Sequence, residues 1–290
     1  MKILKTLFGI TLLLAISINL SAQNTSAQRF IDKTLKTDPV YKTAVVGILA
    51  VDDNDKVVAQ WNKNFPLLTA STLKTVTTGV AMAYLGPDYK YKTQIAYSGE
   101  IKDGALNGNI HIIGGGDPTL GSQDTVAFAI DSIFGVWANA IKSAGIKQIN
   151  GNIVVDDSWM VREQIPSSWS WGNLGYSYGN TAHGLTFCEN LQYFTINPGK
   201  EVGDPVNIQQ KYPYIPGFQL INEVTTGKEK TGDQTEYFVQ DMTLTGRWVG
   251  TFAKDRKAKV STNSSRFPHL SCGYHFREYL VKEGINSNPE

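Results

Sequence analysis

Several residue types that place a protein in a specialised class are scarce in this sequence. Only two cysteines, Cys188 and Cys272, occur in 290 residues, too few for a disulfide scaffold or an all-cysteine zinc site. Whether these two pair stays open at this point. Charge of one sign is lacking as well, since 27 Lys and Arg stand against 26 Asp and Glu. The resulting net charge of +1 gives no general attraction to polyanions, so we expect no nucleic-acid partner.

Long apolar runs are absent beyond the N-terminus. There, Lys2 and Lys5 precede an apolar stretch from Leu7 to Leu20, and small residues follow up to Ala22. This order is typical of a secretory signal peptide, whereas a spanning helix needs about 20 predominantly apolar residues. We therefore expect residues 1–22 to be cleaved after Ala22. The mature protein would be exported to the periplasm or cell envelope, with no stable membrane span after cleavage.

The rest of the sequence has an ordinary globular composition, with 41% hydrophobic and 18% charged residues. Residues 43–51 and 56–61 are rich in β-forming residues around a turn of Asp and Asn, which predicts a hairpin. From Ser71, apolar residues recur at helical spacing until Gly86 and Pro87. This pattern predicts a buried helix of about four turns.

Farther along, strand-like and helical segments alternate. Short strands are predicted at residues 93–97, 110–113 and 149–155, and helices at 125–144 and 274–282. Residues 166–241 are rich in Gly, Pro, Trp and Tyr, which favours a loop-rich β subdomain over a base- or sugar-stacking platform. The sequence thus predicts an α+β, or mixed, protein.

The segment Ser71-Thr72-Leu73-Lys74 has the S-x-x-K spacing of a nucleophile and its base. Residues i and i+3 share a helix face, so the lysine amine can reach the serine oxygen. An amine made neutral by burial can accept the serine proton. The tetrad alone is also typical of a helix cap followed by a surface lysine, but its place after a hairpin favours acyl-transfer chemistry.

Two stretches of the sequence resemble a known family. Val46–Tyr89, which includes Leu68-Thr69-Ala70-Ser71-Thr72-Leu73-Lys74, is similar to the N-terminal part of the low-molecular-mass class C penicillin-binding proteins, the D-alanyl-D-alanine carboxypeptidases/endopeptidases of peptidase family S13. Gly104–Leu120 resembles the glycine-rich segment of that family, and Gly151–Asp156 resembles the strand that follows it. These segments follow one another along the chain in the same order as in the family.

The resemblance implies a serine peptidase. Ser71 would be the acyl-enzyme nucleophile and half of the oxyanion hole through its backbone N–H, and Lys74 would be the proton acceptor. Substrates would be peptidoglycan peptides ending in D-Ala-D-Ala, and β-lactams would be covalent inhibitors at the same serine. The resemblance implies no metal and no organic cofactor.

The implied fold is a partial β-lactamase/transpeptidase-like domain with a large inserted mixed α/β and β-rich domain. We expect residues 23–89 to form the N-terminal part of the first domain and residues 90–250 to form the insertion. Residues 251–290 would be an incomplete return to the first domain, and the helix at 276–284 would precede a further motif.

The family also needs an S-x-N and a later K-T-G motif. Here Lys230-Thr231-Gly232 precedes Ser261-Thr262-Asn263, so the order is reversed. The first lies in a charged loop and the second in polar sequence, which indicates that neither is the functional motif. We interpret the chain as truncated and expect it to be unable to turn over D-Ala-D-Ala substrates. The alternative is a non-catalytic exported module that binds peptidoglycan or a cell-wall partner.

Other enzyme classes have weaker support in the sequence. None of His111, His183, His269 and His275 lies in a recognisable nucleophile elbow, and no G-x-S-x-G occurs. No H-x-x-x-H spacing predicts zinc, and Asp156-Asp157 reads as a strand end followed by a turn. Preference for carboxypeptidase or endopeptidase substrates and the oligomeric state stay open.

Overall fold

The computed structural model describes residues 25–160, 165–240 and 243–287. The predicted signal peptide lies outside these residues, so its cleavage stays a prediction. No helix within the described ranges is both long enough and apolar enough to cross a membrane. The chain divides into two compact units, Met1–Tyr89 and Lys90–Glu290. The sequence analysis also expects a boundary after residue 89, and its assignment of the domains stays a prediction.

The helices are α1 (Ser26–Thr37), α2 (Leu73–Leu85), α3 (Ile130–Ser143) and α4 (Pro268–Lys282). The strands are β1 (Ile48–Val51), β2 (Val57–Trp61), β3 (Gln94–Lys102), β4 (Ala105–Ile113), β5 (Gln148–Ile149), β6 (Ile153–Asp156), β7 (Leu191–Asn197), β8 (Asn207–Tyr212), β9 (Gln219–Asn222), β10 (Thr225–Gly227), β11 (Asp233–Val239), β12 (Thr245–Ala253), β13 (Lys259–Ser264) and β14 (Asn286–Ser287). The predicted mixed α and β class is confirmed.

In the first unit, β1 and β2 form the predicted antiparallel hairpin. α1 is tied to β2 through Gln28, whose side-chain amide accepts from Gln60 N at 2.8 Å and donates to Gln60 O at 3.1 Å. These two bonds satisfy backbone groups at the edge of the hairpin. Thr25 caps α1 by accepting from Gln28 N at 3.0 Å and also donates to Val58 O. The hairpin that precedes α2 is therefore held by hydrogen bonds from α1.

The predicted helix after the hairpin is present, but its burial was wrongly predicted. A 3₁₀ turn, Ala70–Thr72, leads into α2, which ends at Gly86 with a φ of +77°. All residues of α2 are exposed; for example, Val76 is 60% and Val80 52% accessible. Helical periodicity identifies which face of a helix is apolar, but it does not establish that a partner covers that face.

In the second unit, β4 is the centre of a five-stranded sheet. β3 pairs with it antiparallel, β5 and β6 pair with it in parallel, and β14 extends the sheet beyond β5. Alternation along β4 puts Leu106, Ile110 and Ile112 on the core face. α3 and α4 contribute aromatic side chains to the same core, including Phe134 and Phe276. His111, which lies between Ile110 and Ile112, faces the other side of the sheet.

Replacing Phe134 by alanine is expected to cost about 3–5 kcal/mol of unfolding free energy, the usual range for a buried phenylalanine. Phe134 is 3% exposed, and its ring centroid lies 5.5 Å from that of Trp137 and 5.2 Å from that of Phe276. Urea unfolding measures the loss. The matched control is Val136→Ala on the same helix, because Val136 is 67% exposed. Similar losses for both variants would contradict the placement of α3.

The residues predicted to form a loop-rich β subdomain do form short strands. β7 lies between β8 and β13 in an antiparallel sheet. β12 lies in a second, mixed sheet, where it is antiparallel to β11 and parallel to β10 and β9. Their shared core contains Phe194, Tyr237, Trp248 and Phe252. The rings of Phe194 and Trp248 meet edge to face, with centroids 5.6 Å apart. These buried aromatic residues therefore serve as packing, whereas others of the region, such as Trp171 and Tyr178, are exposed.

Asp233→Asn is expected to lower the melting temperature at pH 7 and to have a smaller effect as the pH falls through the folded pKa of Asp233. Burial disfavours the ionised carboxylate, but hydrogen bonds from Lys259 and Thr235 outweigh it and hold the pKa of Asp233 below its ordinary 3.8. The contribution to stability is therefore present above about pH 4 and is lost as the pH falls through the folded pKa. A pair this open to solvent contributes at most about 1 kcal/mol.

Thermal melts of the wild type and Asp233→Asn at several pH values measure this effect. Glu236→Gln is the control, because Glu236 lies exposed on the same strand. A difference between wild type and Asp233→Asn that persists unchanged at pH 2 would show that the ion pair is not its cause.

The C-terminal part of the described chain belongs to the second unit. β12 runs across the boundary predicted at residue 251 without a break, and β13 pairs with β7. α4 begins at Pro268 rather than near the predicted Tyr274, and Phe276 packs in the core of the five-stranded sheet. The second unit thus extends past residue 251, because its sheets need β12, β13 and β14 to complete their pairing.

Candidate active site

A tight turn places Ser71 directly before α2. Thr72 N donates to Thr69 O at 3.1 Å, and the Thr72 hydroxyl donates to the same oxygen. Ala70 has a φ of +46°, a left-handed conformation that costs a residue with a Cβ about 1–2 kcal/mol. Backbone strain of this kind clusters at functional sites. The residue before Ser71 is therefore held in an unfavourable conformation by the turn.

The Lys74 side chain contacts the Ser71 side chain. Lys74 Nζ donates to Ser71 Oγ at 3.0 Å, one helical turn apart. The proximity expected from the i, i+3 spacing is confirmed. Both residues are exposed in the first unit. Their catalytic roles stay a prediction.

The geometry of this pair suits proton transfer from an alcohol to an amine. At 3.0 Å the lysine ammonium donates to the serine oxygen, and a neutral amine at the same distance would accept the hydroxyl proton. Backbone N–H groups at the start of α2 add positive partial charge beside Ser71. The arrangement can therefore form a serine nucleophile and favour negative charge that develops next to it.

The two tripeptides that match later family motifs have structural roles in the second unit. Lys230-Thr231-Gly232 lies in the turn between β10 and β11, with positive φ at Lys230 and Gly232. Ser261–Asn263 lies in β13, where the Asn263 amide is buried and donates to Gly175 O at 3.2 Å. The first tripeptide forms a turn, and the second holds its asparagine amide in a sheet. Both roles agree with the interpretation that neither tripeptide is a catalytic motif.

One histidine lies beside a serine, which the sequence did not indicate. Ser98 Oγ and His111 Nε2 are 2.8 Å apart on adjacent strands β3 and β4. A serine triad also needs a carboxylate that is hydrogen-bonded to the second ring nitrogen, and the described residues provide no such bond to His111. His275 Nε2 accepts from Tyr214 N at 3.0 Å, which is a structural contact. A His-dependent hydrolase therefore has little support.

Both cysteines are free thiols in the second unit and lie in its core. Burial raises the pKa of the Cys188 thiol to about 12 and also raises that of Cys272. A thiol with so high a pKa supplies almost no thiolate at neutral pH. The cysteines therefore act as small apolar core residues rather than as nucleophiles.

Three residues that are distant in sequence meet in the second unit and were not predicted as a group. They are Asp157, His183 and His269, and one potential ligand atom from each lies within 4.8 Å of the others. Asp157 follows β6, His183 lies in a loop, and His269 is in the first turn of α4. No spacing motif links them, so only the fold brings them together.

Comparison with known proteins identifies the relatives of this chain. The family model described as the D-Ala-D-Ala carboxypeptidase 3 (S13) family matches residues 27–290. The D-alanyl-D-alanine carboxypeptidase of Actinomadura sp. (strain R39) is 25% identical over 278 residues, which cover 91% of this chain and 48% of that protein. D-alanyl-D-alanine carboxypeptidase DacB of Haemophilus influenzae is 26% identical over 171 residues, or 58% of this chain and 34% of the relative.

Solved structures share the fold. The crystal structure of penicillin binding protein 4 (dacB) from Haemophilus influenzae matches with a TM-score of 0.74 and 22% identity, over 89% of this chain and 55% of that one. The same protein complexed with a novel beta-lactam matches with a TM-score of 0.67 and 21% identity, over 89% and 52% of the two chains. The chain thus spans about half the length, or less, of the relatives it matches.

Proposed function

Since the chain belongs to the D-Ala-D-Ala carboxypeptidase 3 (S13) family, we propose that it is a serine-type D-Ala-D-Ala carboxypeptidase that acts on peptidoglycan stem peptides. The observation that carries this proposal is the 3.0 Å contact between Lys74 Nζ and Ser71 Oγ at the start of α2. This pair lies within the matched residues and has the order of nucleophile and base that serine acyl-transfer enzymes use. Curated relatives named as D-alanyl-D-alanine carboxypeptidases support it further.

The reaction has two steps. In the first, Ser71 Oγ attacks the carbonyl carbon of the penultimate D-Ala while its proton passes to Lys74 Nζ. The C–N bond then breaks, the terminal D-alanine leaves with a proton on its amine, and an ester to Ser71 remains. In the second step, water attacks the ester, releases the shortened peptide and restores the serine hydroxyl. The Ser71 backbone N–H would donate to the oxyanion in both steps.

The proposed partners and location follow from this chemistry. A β-lactam ring presents a carbonyl to the same serine, so ring opening would leave a covalent adduct on Ser71. Peptidoglycan lies outside the cytoplasmic membrane, and the N-terminal sequence resembles a secretory signal. We therefore place the mature protein in the periplasm or cell envelope.

The test is D-alanine release by the purified full chain from a stem pentapeptide ending in D-Ala-D-Ala. The control substrate ends in D-Ala-L-Ala, and a fluorescent penicillin is used in parallel as a covalent label. The proposal predicts release from the first peptide alone and inhibition of that release by penicillin.

The two readouts separate the alternatives. Penicillin labelling without D-alanine release would support acylation at Ser71 but would contradict turnover of stem peptides by this chain. Retention on insoluble peptidoglycan without either labelling or release would contradict the enzymatic proposal and favour a non-catalytic binding module.

A further inference from the structure

Two histidines lie close to one side-chain oxygen of Asp157, the residue that follows β6. His183 precedes the 3₁₀ turn Cys188–Asn190, and His269 lies in the first turn of α4. His183 Nδ1 lies 3.2 Å from Asp157 Oδ2, and His269 Nδ1 lies 3.8 Å from the same oxygen. All three side chains belong to the second unit, whereas Ser71 and Lys74 belong to the first. The proposed reaction at Ser71 and Lys74 assigns no role to this cluster.

These distances are close to those of a tetrahedral zinc site. Zinc bonds of about 2.0–2.1 Å to imidazole nitrogen and carboxylate oxygen put neighbouring ligand atoms about 3.4 Å apart. The two measured separations from Asp157 Oδ2 lie on either side of this value. Each of the three residues offers a ligand atom within 4.8 Å of the other two, and the His269 side chain is 24% exposed.

Neighbouring hydrogen bonds hold the ligands in this orientation. Leu185 N donates to Asp157 Oδ1 at 2.6 Å, which leaves Oδ2 directed at the imidazoles. The outer nitrogen of His183, Nε2, lies 3.2 Å from the Thr181 hydroxyl. Metal-bound histidines are usually held in this way by a hydrogen bond at the ring nitrogen remote from the metal.

Buried Arg266 holds Thr181 and the loop around His183 in place. Its Nη1 donates to Thr181 Oγ1 at 3.2 Å, and its Nη2 donates to Leu174 O and Gly179 O, each at 2.9 Å. The Arg266 side chain is 2% exposed. The loop that carries His183 is thus anchored before any ion binds, which lowers the entropic cost of forming the site.

A purely structural hydrogen-bond relay explains only part of the arrangement. Arg266, Thr181, His183 and Asp157 can form such a relay by themselves. It does not require a second imidazole, and at 3.8 Å His269 Nδ1 is beyond hydrogen-bond distance of Asp157 Oδ2. Two imidazoles and one carboxylate within 4.8 Å of one another also make up a ligand set for a transition-metal ion.

Solvent can reach the cluster along its His269 side. His269 lines a groove of about 710 Å³ between β6 and α4, together with Val155, Leu270 and Tyr274. The groove brings solvent to the His269 ring, whose Nδ1 atom is itself buried. Two imidazoles and one carboxylate suit zinc and similar transition ions, whereas magnesium and calcium prefer oxygen ligands.

We propose that Asp157, His183 and His269 bind a divalent transition-metal ion of the zinc class, which links the end of β6, the His183 loop and the start of α4. Water takes the fourth position. Because the ion binds the folded arrangement, it raises the melting temperature of the second unit.

The experiment titrates Zn²⁺ alone into the untagged, EDTA-treated full chain by calorimetry, with Mg²⁺ and Ca²⁺ in separate titrations. The expected result is one Zn²⁺ per chain, a higher melting temperature and preference for Zn²⁺ over the other two ions of at least about 100-fold. Asp157→Asn and His269→Gln should each weaken Zn²⁺ binding by at least about tenfold. His111→Gln is the matched control, since His111 lies in the same unit and contacts Ser98 instead.

Melts of the metal-free variants show which of them are folded. If Asp157→Asn is unfolded, the Zn²⁺ affinity of His269→Gln, a change at a partly exposed residue, is compared with those of the wild type and His111→Gln. Zn²⁺ binding weaker than about 100 µM in the wild type, equal binding by His269→Gln, or equal affinity for Mg²⁺ would overturn the proposal. None of these results depends on peptidase activity, so the peptidase proposal stands or falls separately.

Discussion

Ser71→Ala is expected to abolish the covalent penicillin adduct and to reduce any D-alanine release by at least about 10³-fold, the scale of loss when a catalytic nucleophile is removed. Without the hydroxyl, no ester can form, and Lys74 has no proton to accept. Ser71 is exposed, so the variant should keep its unfolding free energy within about 0.5 kcal/mol of the wild type. Gel fluorescence after penicillin labelling measures the effect.

Ser98→Ala is the matched control for this change. Ser98 is the serine that lies 2.8 Å from a histidine nitrogen, so it is the residue on which a His-dependent hydrolase would rely. We expect unchanged labelling of this variant. If Ser98→Ala loses the label and Ser71→Ala keeps it, the nucleophile has been assigned to the wrong unit of the chain.

Lys74→Arg is expected to slow penicillin acylation by about 10²–10⁴-fold, the usual contribution of a general base. Arginine keeps a positive charge and a long side chain, but its guanidinium stays protonated and cannot accept the Ser71 proton. Loss of rate in this variant thus separates proton transfer from simple electrostatic attraction. Stopped-flow or quenched labelling gives the acylation rate constant.

Lys63→Arg is the corresponding control, since Lys63 is an exposed lysine of the same unit. We expect its acylation rate to match that of the wild type. A Lys74→Arg variant that is acylated at the wild-type rate would show that Lys74 is a surface lysine beside a helix cap and that another group is the base.

Features governed by neighbouring residues were predictable from the sequence. The hairpin follows from two β-rich runs around a turn in which Asp52 accepts from Asn54 N and Lys56 N. The contact between Ser71 and Lys74 follows from their i, i+3 spacing, which is fixed by helix geometry. Both features depend on chain-local rules, so the sequence alone contains the information for them.

Features that depend on remote partners were predicted less well. The apolar pattern of α2 predicted burial, yet every residue of α2 is exposed, because a pattern does not establish what covers it. The predicted beginning of α4, Tyr274, lies six residues after the observed one, Pro268. The prediction relied on apolar periodicity, which Pro268 and His269 do not show, and overlooked that proline suits the first turn of a helix. The Asp157, His183 and His269 cluster spans loops and a helix, and only tertiary packing reveals it.

The most direct test of the account is the site of the penicillin adduct. Trypsin should release the peptide spanning residues 64–74, which contains Ser71 together with Thr69 and Thr72. Fragmentation mass spectrometry of the labelled full chain is expected to place the opened β-lactam on Ser71. An adduct on Thr69, on Thr72 or outside this peptide, or no adduct at all, would contradict the claim that Ser71 is the acylated nucleophile.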